Sequence, residues 1–581
     1  MAEEVIWLKV PSRSRAEVQD TVACVTSQLV RFKNKAGRTV VGFLDYTGQS
    51  SVRTPVVIIP PGYGQTKTDL VPLSYPLAKS GFSVLRYDHT DHVGESDGEI
   101  VSSSMESMRE DLEGALDYVK SELRAPKLGV AAHSLAFRNV LKVASEDNRI
   151  DFLCSILGIV DIRRALEVIY AQDIVALSLS GVRWGITDLL GFKVDADRFL
   201  WSAIKRSLHS LEGAIQDAQK LSKPALFIVG EEDLLTKRAV IEDLFNIVSA
   251  SQKEIHVLPN TRHVFYENPE SQRAVAETVT RGALRYLTGR ELNGVEIDLC
   301  EREVAERSKW ERDRFRALRS INKREEIAFW AEYLKDFKRI VNLPDYWNLQ
   351  EMIHDLLGEI LPGERILDAG CGTGNFGSFL IVKYLYRVMQ SAVHKKKLPL
   401  FHYVGVDFVH DSLKEAYRTR ETLQKEFSDR VGLIIKKSLV SCNFLRLDLA
   451  APLCLQDGSF DKICCNLVLS YVPDDASTLN ELWRVLKPGG RMVVTSLKPH
   501  ADLTEVYRAF LKMADTDKEI EDARCLLANA GMIKAREVEG LYSFYSDKEL
   551  ESMLLQLGAR RVHVASAFSN QVYVGLAEKA G

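Results

Sequence analysis

From residue 39 to residue 134 the chain switches repeatedly between a strand-like and a helix-like spacing of apolar residues. TVVGFLDY (39–46) and PVVIIP (55–60) alternate or run apolar as strands do, and the second breaks at the turn Pro60-Pro61-Gly62-Tyr63-Gly64. A helix-like stretch near 70–80 leads to SVLRYD (83–88), a strand that stops at an Asp. Over 104–124, Met108, Leu112, Ala115, Leu116 and Val119 recur at helical spacing, and KLGVAAHS (127–134) is a short strand entering a turn. FLCSILGIV (152–160) and PALFIVG (224–230) are uninterrupted apolar runs, the pattern of strands buried on both faces. This alternation predicts an α/β unit with a doubly wound, mainly parallel sheet. Residues 163–215, between the last two runs, carry Leu166, Val168, Ile169, Ile174, Val175, Leu177, Trp184, Leu189, Leu190, Phe192, Phe199 and Trp201. They read as mixed amphipathic helix and are expected to form a lid over the sheet's C-terminal edge.

The pattern changes over 296–345. EREVAERSKWERDRFRALRSINKREE is dense in both charges and poor in Gly and Pro, and it reads as one or two exposed helices joining two domains. Strand–helix alternation then restarts at RILDAG (365–370), YVGVDF (403–408), NFLRLDL (443–449), FDKICCNLVL (460–469) and RMVVTSL (491–497), which predicts a second parallel sheet. The expected organisation is therefore an α/β-hydrolase unit over 1–295, a charged connector over 296–345, and a Rossmann-like unit over 346–581.

Length agrees with two large α/β domains, since 581 residues exceed one ordinary domain. Lys plus Arg number 76 and Asp plus Glu 80, a net charge of −4 that calls for neither nucleic acid nor an anionic surface as partner. The N-terminus MAEEVIWLKVPSRSR has acidic residues, Glu3 and Glu4, where a signal peptide needs basic ones, and no run reaches the roughly 18 apolar residues of a membrane span. Nine cysteines lack regular spacing, and the adjacent Cys464 and Cys465 in an apolar strand suit reduced thiols. These features predict a cytoplasmic chain with no integral membrane segment.

Ala132-His133-Ser134-Leu135-Ala136 stands where a strand ends and a helix begins, the place of a strained nucleophile turn, with alanines in place of the usual flanking glycines. A serine nucleophile needs a base and the base an orienting carboxylate, which in this fold follow in the order Ser, Asp, His. Asp233 in GEED follows the strand PALFIVG, and His263 in NTRHVFYEN follows the strand-like EIHVLP, whose own His256 is rejected on position. The expected oxyanion donors are the backbone N–H groups of Leu135 and of Tyr63 in PPGYG.

RYDHTDHVGESDGEI (86–100), LGVAAHSLAFRNV (128–140), ILGIVDIRRALE (156–167) and the TRHVFYEN loop resemble the bacterial luminescence acyl-transferases over most of residues 20–290. Those are α/β-hydrolase thioesterases that release a long-chain fatty acid from acyl carrier protein. The resemblance implies a Ser134, Asp233, His263 triad and an acyl or lipid-like substrate, with acyl carrier protein as a candidate partner. His133 stands where that family's elbow has a small residue.

In the second half, Leu367-Asp368-Ala369-Gly370-Cys371-Gly372-Thr373-Gly374 links a strand to a helix. Its glycines let the backbone pass close under a ligand, and the helix start offers free N–H groups. Asp407 ends the next strand, where an acidic side chain accepts ribose hydroxyls. Its distance from the glycines is lengthened by LIVKYLYRVMQSAVHKKKLPL. Asp448 ends NFLRLD, positioned to accept from an adenine amino group. DGSFDKICCNLVLSYVPD followed by ELWRVLKPGGRMVV resembles the closing segments of class I S-adenosylmethionine (SAM)-dependent methyltransferases; a dinucleotide-binding domain gives no reason for the LKPGG turn. The resemblance implies SAM as cofactor, held by Asp368, Gly370, Cys371, Gly372, Gly374, Asp407 and Asp448, with Asn466 and Leu467 beside the methyl group. No metal-ligand spacing is present. The methyl acceptor's wall is expected from 498–548, with Tyr507, Phe510, Tyr542, Phe544 and Tyr545 as candidates, most of them core. Together the halves predict a serine acyl hydrolase or acyltransferase fused to a methyltransferase for a small, acyl- or lipid-derived acceptor. The alternative is a methyltransferase whose first half is an inactive scaffold for an acyl carrier protein or lipid.

Overall fold

The computed structural model describes residues 24–48, 54–170, 172–189, 192–291, 296–318, 322–392, 401–431, 440–499, 501, 510 and 516–581. The N-terminal 15 residues, Leu190, residues 393–400 of the insertion and Tyr507 of the expected acceptor wall lie outside them.

The first half contains strands β1 (Val25–Lys33), β2 (Thr39–Thr47), β3 (Val56–Ile59), β4 (Ser83–Tyr87), β5 (Leu128–His133), β6 (Phe152–Ile156), β7 (Ile186–Leu189), β8 (Phe192–Asp195), β9 (Ala225–Gly230) and β10 (Lys253–Leu258). Eight of them form one sheet in the order β1-β2-β4-β3-β5-β6-β9-β10, antiparallel at the β1–β2–β4 end and parallel from β4 onward. All residues of β3, β4, β5, β6 and β9 are buried, because helices cover both faces of a parallel sheet. Those helices include α1 (Val71–Lys79), α2 (Met105–Ser121) and α3 (Ala136–Glu146). β3 lies directly beside β5 although β4 separates them in sequence. Their C-terminal loops, Pro60–Gly64 and Ser134–Leu135, thereby come to the point where the chain reverses its direction of travel across the sheet, the place where open α/β sheets bind ligands.

The segment expected as a lid holds α4 (Ile162–Tyr170), α5 (Ile174–Leu179), α6 (Ala196–Lys205) and α7 (Leu211–Lys220), and also the antiparallel hairpin β7–β8. The expectation of mixed amphipathic helix over 163–215 did not include this hairpin. Strands of four residues, ITDL and FKVD, are too short to show a period of two against the helical spacing around them. α8 (Arg238–Ile247) and α9 (Pro269–Ala283) complete this half.

The connector forms α10 (Glu301–Ala317) and α11 (Lys323–Phe337). α10 is not wholly exposed. Glu311 is 1% exposed and meets Arg86, itself fully buried, with Nη2 2.6 Å from its carboxylate; Arg86 also pairs with Asp45 at 2.6 Å. Burial alone would push Glu311 up, but Arg86 and Arg307 together hold it below the usual carboxylate range. Removing one charge from such a buried set leaves the others uncompensated, which costs about 3–5 kcal/mol. Glu311→Gln should therefore lower the unfolding free energy of the first half by that amount, read as a lower denaturant midpoint at unchanged m. Arg302→Ala, on the solvent face of α10 with its side chain 90% exposed, should stay within about 0.5 kcal/mol of wild type. Equal midpoints for both variants would remove the clamp.

The second half begins with α12 (Pro344–Leu357). Its sheet comprises β11 (Arg365–Ala369), β12 (Phe401–Asp407), β13 (Val440–Arg446), β14 (Phe460–Cys465), β15 (Leu486–Leu497), β16 (Arg561–Ala567) and β17 (Val572–Glu578). The order is β13-β12-β11-β14-β15-β17-β16, parallel except for β17 against its two neighbours. α13 (Asn375–Ala392), α14 (His410–Val431), α15 (Asp475–Val485), α16 (Asp517–Val538) and α17 (Asp547–Gln556) accompany it. The whole chain is thus α/β with two mainly parallel sheets. Among the described residues no helix is long and apolar enough to cross a membrane.

Candidate active sites

Ser134 is the residue between β5 and α3, and it takes φ +56°. A non-glycine residue there is strained, and the strain persists because the surroundings fix both of its backbone groups. Ser134 N–H donates to the Ile156 carbonyl at 3.1 Å, and its own carbonyl accepts from Ile159 at 3.0 Å and Phe137 at 3.2 Å. Ala132 and Ala136 are both buried, so the methyl groups replacing the usual glycine hydrogens are accommodated. Ser134 Oγ lies 2.7 Å from His263 Nε2, and His263 Nδ1 lies 2.9 Å from Asp233 Oδ2. The other Asp233 oxygen accepts from the N–H groups of Leu235 at 2.9 Å and Thr236 at 3.1 Å, which fixes the carboxylate's orientation. The structure therefore brings together three groups that are up to 129 residues apart in sequence.

Leu135 is the residue at which α3 starts, so its N–H has no partner one turn earlier. Tyr63 sits in the adjoining turn. That turn is held by Gly62 N–H donating to Gln65 Oε1 at 2.9 Å and by Gly64 N–H donating to His92 Nε2 at 3.2 Å. The Tyr63 hydroxyl donates to the Leu189 carbonyl of the lid hairpin at 3.1 Å, and its ring packs edge-on against Phe192 and Phe199. Leu135, Phe192, Phe199 and Leu200 belong to one apolar cluster under the lid, onto which Ala535 and Val538 of α16 also pack. A helix of the second half thus helps close the lid cluster of the first.

His92 and His133 are site residues that the sequence reading did not assign. His133 Nε2 is 3.0 Å from the His263 carbonyl; a carbonyl only accepts, so this nitrogen carries the proton and steadies the His263 loop. Burial, with His263 nearby, pushes His133 down to about 3; burial, with His89 nearby, does the same to His92. The unfolded chain protonates both near pH 6.5. Their contribution to stability is therefore intact above about pH 6.5 and is lost as pH falls towards 3, at about 1.4 kcal/mol per pH unit for each. The thermal midpoint of the first half should fall steadily between pH 6.5 and 4, and His133→Gln should remove roughly half of that slope. A midpoint flat across this range would show that neither ring is held neutral.

In the second half, the loops after β11 and β14 lie side by side across the same kind of reversal. Gly370, Gly372 and Gly374 have φ of +76°, +53° and +79°, conformations that glycine adopts without a Cβ penalty. Gly370, Cys371 and Gly372 form one wall of a cavity that Asp368, Asp407, Asp448, Asn466 and Leu467 also line; Gly374 is not in that wall, and a Cβ on it would stand 2.9 Å from Ala416 of α14. Asp407 accepts from Gly372 N–H at 2.9 Å and from Val409 N–H at 2.8 Å, so it ties the glycine loop to the end of β12. Burial pushes the Asp368 carboxyl up to about 7, with the Tyr403 hydroxyl donating to it at 2.5 Å as a partial offset and Asp407 adding to the rise. Leu467 is held at φ +55°, with its N–H donating to Thr495 Oγ1 at 2.7 Å; that hydroxyl in turn donates to Asn466 Oδ1 at 2.7 Å. Asp448 is in the wall, but its carboxylate is already paired with Lys323 of α11.

The opposite wall is aromatic and comes largely from the connector. Trp330, Tyr333, Leu334 and Phe337 of α11 line the cavity together with Tyr346, Tyr471 and Phe568. Leu334 stands 3.4 Å from where a Cβ on Gly372 would be, so α11 lies directly over the glycine loop. Phe510, Tyr542, Phe544 and Tyr545, expected among the wall or core residues, are core: each is buried, and none lines this cavity. α11 is anchored by Glu326, which accepts from Tyr542 at 2.9 Å and pairs with Arg536 of α16. The Trp330–Tyr333–Phe337 stripe at helical spacing was the available signal for this wall, hidden next to a strongly charged run.

Residues 41–307 match the family described as acyl transferase, and residues 360–538 match the methyltransferase domain family. The acyl transferase of Photobacterium phosphoreum is 25% identical over 236 residues, covering 41% of this chain and 76% of that protein. Its counterpart in Aliivibrio fischeri is 25% identical over 243 residues, covering 42% and 78%. Among solved structures, Est1E from Butyrivibrio proteoclasticus with ferulic acid bound is 18% identical, covers 44% of this chain and 98% of its own, and has a TM-score of 0.36. The Pyrococcus furiosus esterase Pf2001 is 17% identical over 48% and 97%, with a TM-score of 0.34.

Proposed function

We propose that this chain, an acyl transferase-like half joined to a methyltransferase half, is a two-site enzyme acting on acyl-derived molecules. Acyl transfer or hydrolysis takes place at Ser134, and methyl transfer from SAM at the glycine loop. The Ser134–His263–Asp233 relay carries the first part. His263 Nε2 takes the Ser134 proton as Oγ bonds to the acyl carbon, and Asp233 holds the imidazole in the tautomer that can accept it. The negative oxygen of the tetrahedral intermediate meets the N–H groups of Leu135 and Tyr63. As the bond to the leaving thiol or alcohol breaks, His263 returns the proton to that group, leaving the acyl group on Ser134. Water or another nucleophile, deprotonated by the same histidine, then releases the acyl group.

The second half fits SAM on three counts. Gly370, Cys371 and Gly372 of the glycine loop line the cavity, the acidic Asp407 ends the second strand, and an aromatic wall faces the loop. Gly370, Cys371, Gly372 and Asp407 would hold the cofactor, with Asp368 beneath them and Asn466 and Leu467 at the end of the neighbouring β14, while Gly374 lets the turn pass close to α14. SAM supplies an electrophilic methyl group on sulfur. The protein's share is to position the acceptor in line and to keep water out, which the α11 aromatics serve. Asp448 can meet the adenine only by sharing or releasing Lys323. The packing of α16 on the first half's lid supports consecutive steps on one acyl-derived molecule, with acyl carrier protein as a candidate donor.

The test is mass spectrometry of the full chain after incubation with fatty acyl thioesters and with a fluorophosphonate probe, followed by a methyl-transfer assay on the released acids. An acyl adduct on Ser134 and methylated product from the same acyl chain are the expected results.

A further inference from the structure

A second cavity, of about 230 Å³, lies between α12, α13 and α14. It shares Tyr346, Thr373 and Asn375 with the glycine-loop cavity but turns away from the loop's glycines. Its lining is mostly apolar, and its rim concentrates exposed apolar side chains: Val341 is 44% exposed, Trp347 42% and Val382 39%. Among the described lining residues the only charged one is Glu415. Also lining the cavity is Gln350, 2% exposed, whose Oε1 and Nε2 are both buried with no hydrogen-bond partner. A buried carboxamide left unpaired on both atoms is destabilising, and buried polar groups are overwhelmingly paired in folded proteins. Such a group, kept in an apolar cavity with an apolar rim, is the complement of a ligand that brings one donor and one acceptor side by side.

We propose that this groove is a second ligand site of the methyltransferase half, taking a neutral carboxamide carried on an apolar chain. The Gln350 carboxamide, whose two polar atoms are buried in this structure, turns into the groove on binding; the ligand's N–H then donates to Oε1 and its carbonyl accepts from Nε2, while the chain lies along Val341, Trp347 and Val382. A carboxylate is excluded on two grounds. It has no donor for Oε1, and it would bring a second negative charge beside Glu415 into an apolar lining. The cofactor cavity adjoins this groove across the shared Tyr346, Thr373 and Asn375, and the two are otherwise lined by different residues, so both sites are expected to be filled together.

The experiment is calorimetric titration of the full chain, saturated with S-adenosylhomocysteine, with octanamide, whose N–H and carbonyl lie on one edge, and with octanoate, together with thermal melts without ligand. The amide should bind, and octanoate at least tenfold more weakly. Gln350→Leu should weaken amide binding at least tenfold and yet raise the unliganded melting midpoint, because it replaces an unpaired buried amide with an apolar side chain. A residue kept only for structure would lower the midpoint instead. Trp347→Ala, at the exposed rim, should weaken the amide without shifting the midpoint, and it carries the test if Gln350→Leu does not fold. The proposal is overturned if the amide fails to bind or binds only without S-adenosylhomocysteine. Octanoate binding as well as the amide, a lowered midpoint in Gln350→Leu, or unchanged amide affinity in either variant would overturn it too. Failure of S-adenosylhomocysteine to bind wild type would count against the cofactor reading above and leave the groove to be judged on the amide titration alone.

Discussion

Ser134→Ala is expected to abolish acyl-enzyme formation and to reduce acyl turnover by roughly 10⁶-fold, the scale on which serine triads lose kcat when the nucleophile is removed. The expectation rests on one continuous relay: 2.7 Å from Ser134 Oγ to His263 Nε2 and 2.9 Å from His263 Nδ1 to Asp233. Because the three groups act as a unit, their losses should not add. His263→Ala alone, and Ser134→Ala with His263→Ala, should be about as damaged as Ser134→Ala by itself. Asp233→Asn should cost about 10⁴-fold, since it leaves the imidazole in place but in the wrong tautomer. All four variants should melt close to wild type, apart from the effect of uncoupling Asp233 from its loop. Steady-state thioester hydrolysis and intact-protein mass spectra read these outcomes. Turnover that survives in Ser134→Ala, or wild type that never acquires an adduct, would point to the first half as a docking scaffold and leave methyl transfer as the chain's single chemistry.

Gly370→Ala should lower S-adenosylhomocysteine affinity by roughly 10²-fold or more and silence methyl transfer, while leaving acylation of Ser134 intact. Gly370 has φ +76°, where a Cβ is strained at about 1–2 kcal/mol. A Cβ there would also stand 2.4 Å from Val468 Cγ2. Both effects push the loop out of the position in which Asp407 and Gly372 hold it. Gly489→Ala serves as the control. Its φ is +75°, but nothing lies within 4 Å of the added carbon, so it bears the backbone strain without the crowding. Titration calorimetry of the two variants separates the terms. If Gly489→Ala loses as much affinity as Gly370→Ala, the loop is merely a sensor of general stability. If neither loses affinity, the glycine loop does not carry the cofactor. Asp407→Ala should fall with Gly370→Ala, because it removes the tie between the loop and β12 as well as a ligand-facing carboxylate.

The parallel strands of both sheets were legible because a buried parallel strand is a short apolar run whose end is marked by a turn, and both signals are local; the antiparallel β1 and β16, which interleave polar positions, and β17 were not read. VVII before Pro60 and LGVAAH before Ser134 need no distant information. The same holds for the glycine loop after β11. The order Ser134, Asp233, His263 could be read because each follows its own strand. The lid hairpin could not, since four-residue strands carry too few positions for a period. Nor could the place of α10, whose buried Glu311 looks in sequence like any other charge on a solvated helix.

By itself the sequence determined which residues stand at strand ends, where glycines free the backbone, and that two α/β units follow one another. These depend on neighbours within a few positions. Only the tertiary structure decided that Arg86 neutralises Glu311 from 225 residues away, that α11 roofs the glycine loop with aromatic rings, and that α16 packs against the lid of the other half. It also decided that Gln350 is sealed into an apolar groove without a partner. Each of these is a matter of burial. Whether a charge, an aromatic ring or an amide is solvated, paired or stranded depends on what the rest of the chain packs against it.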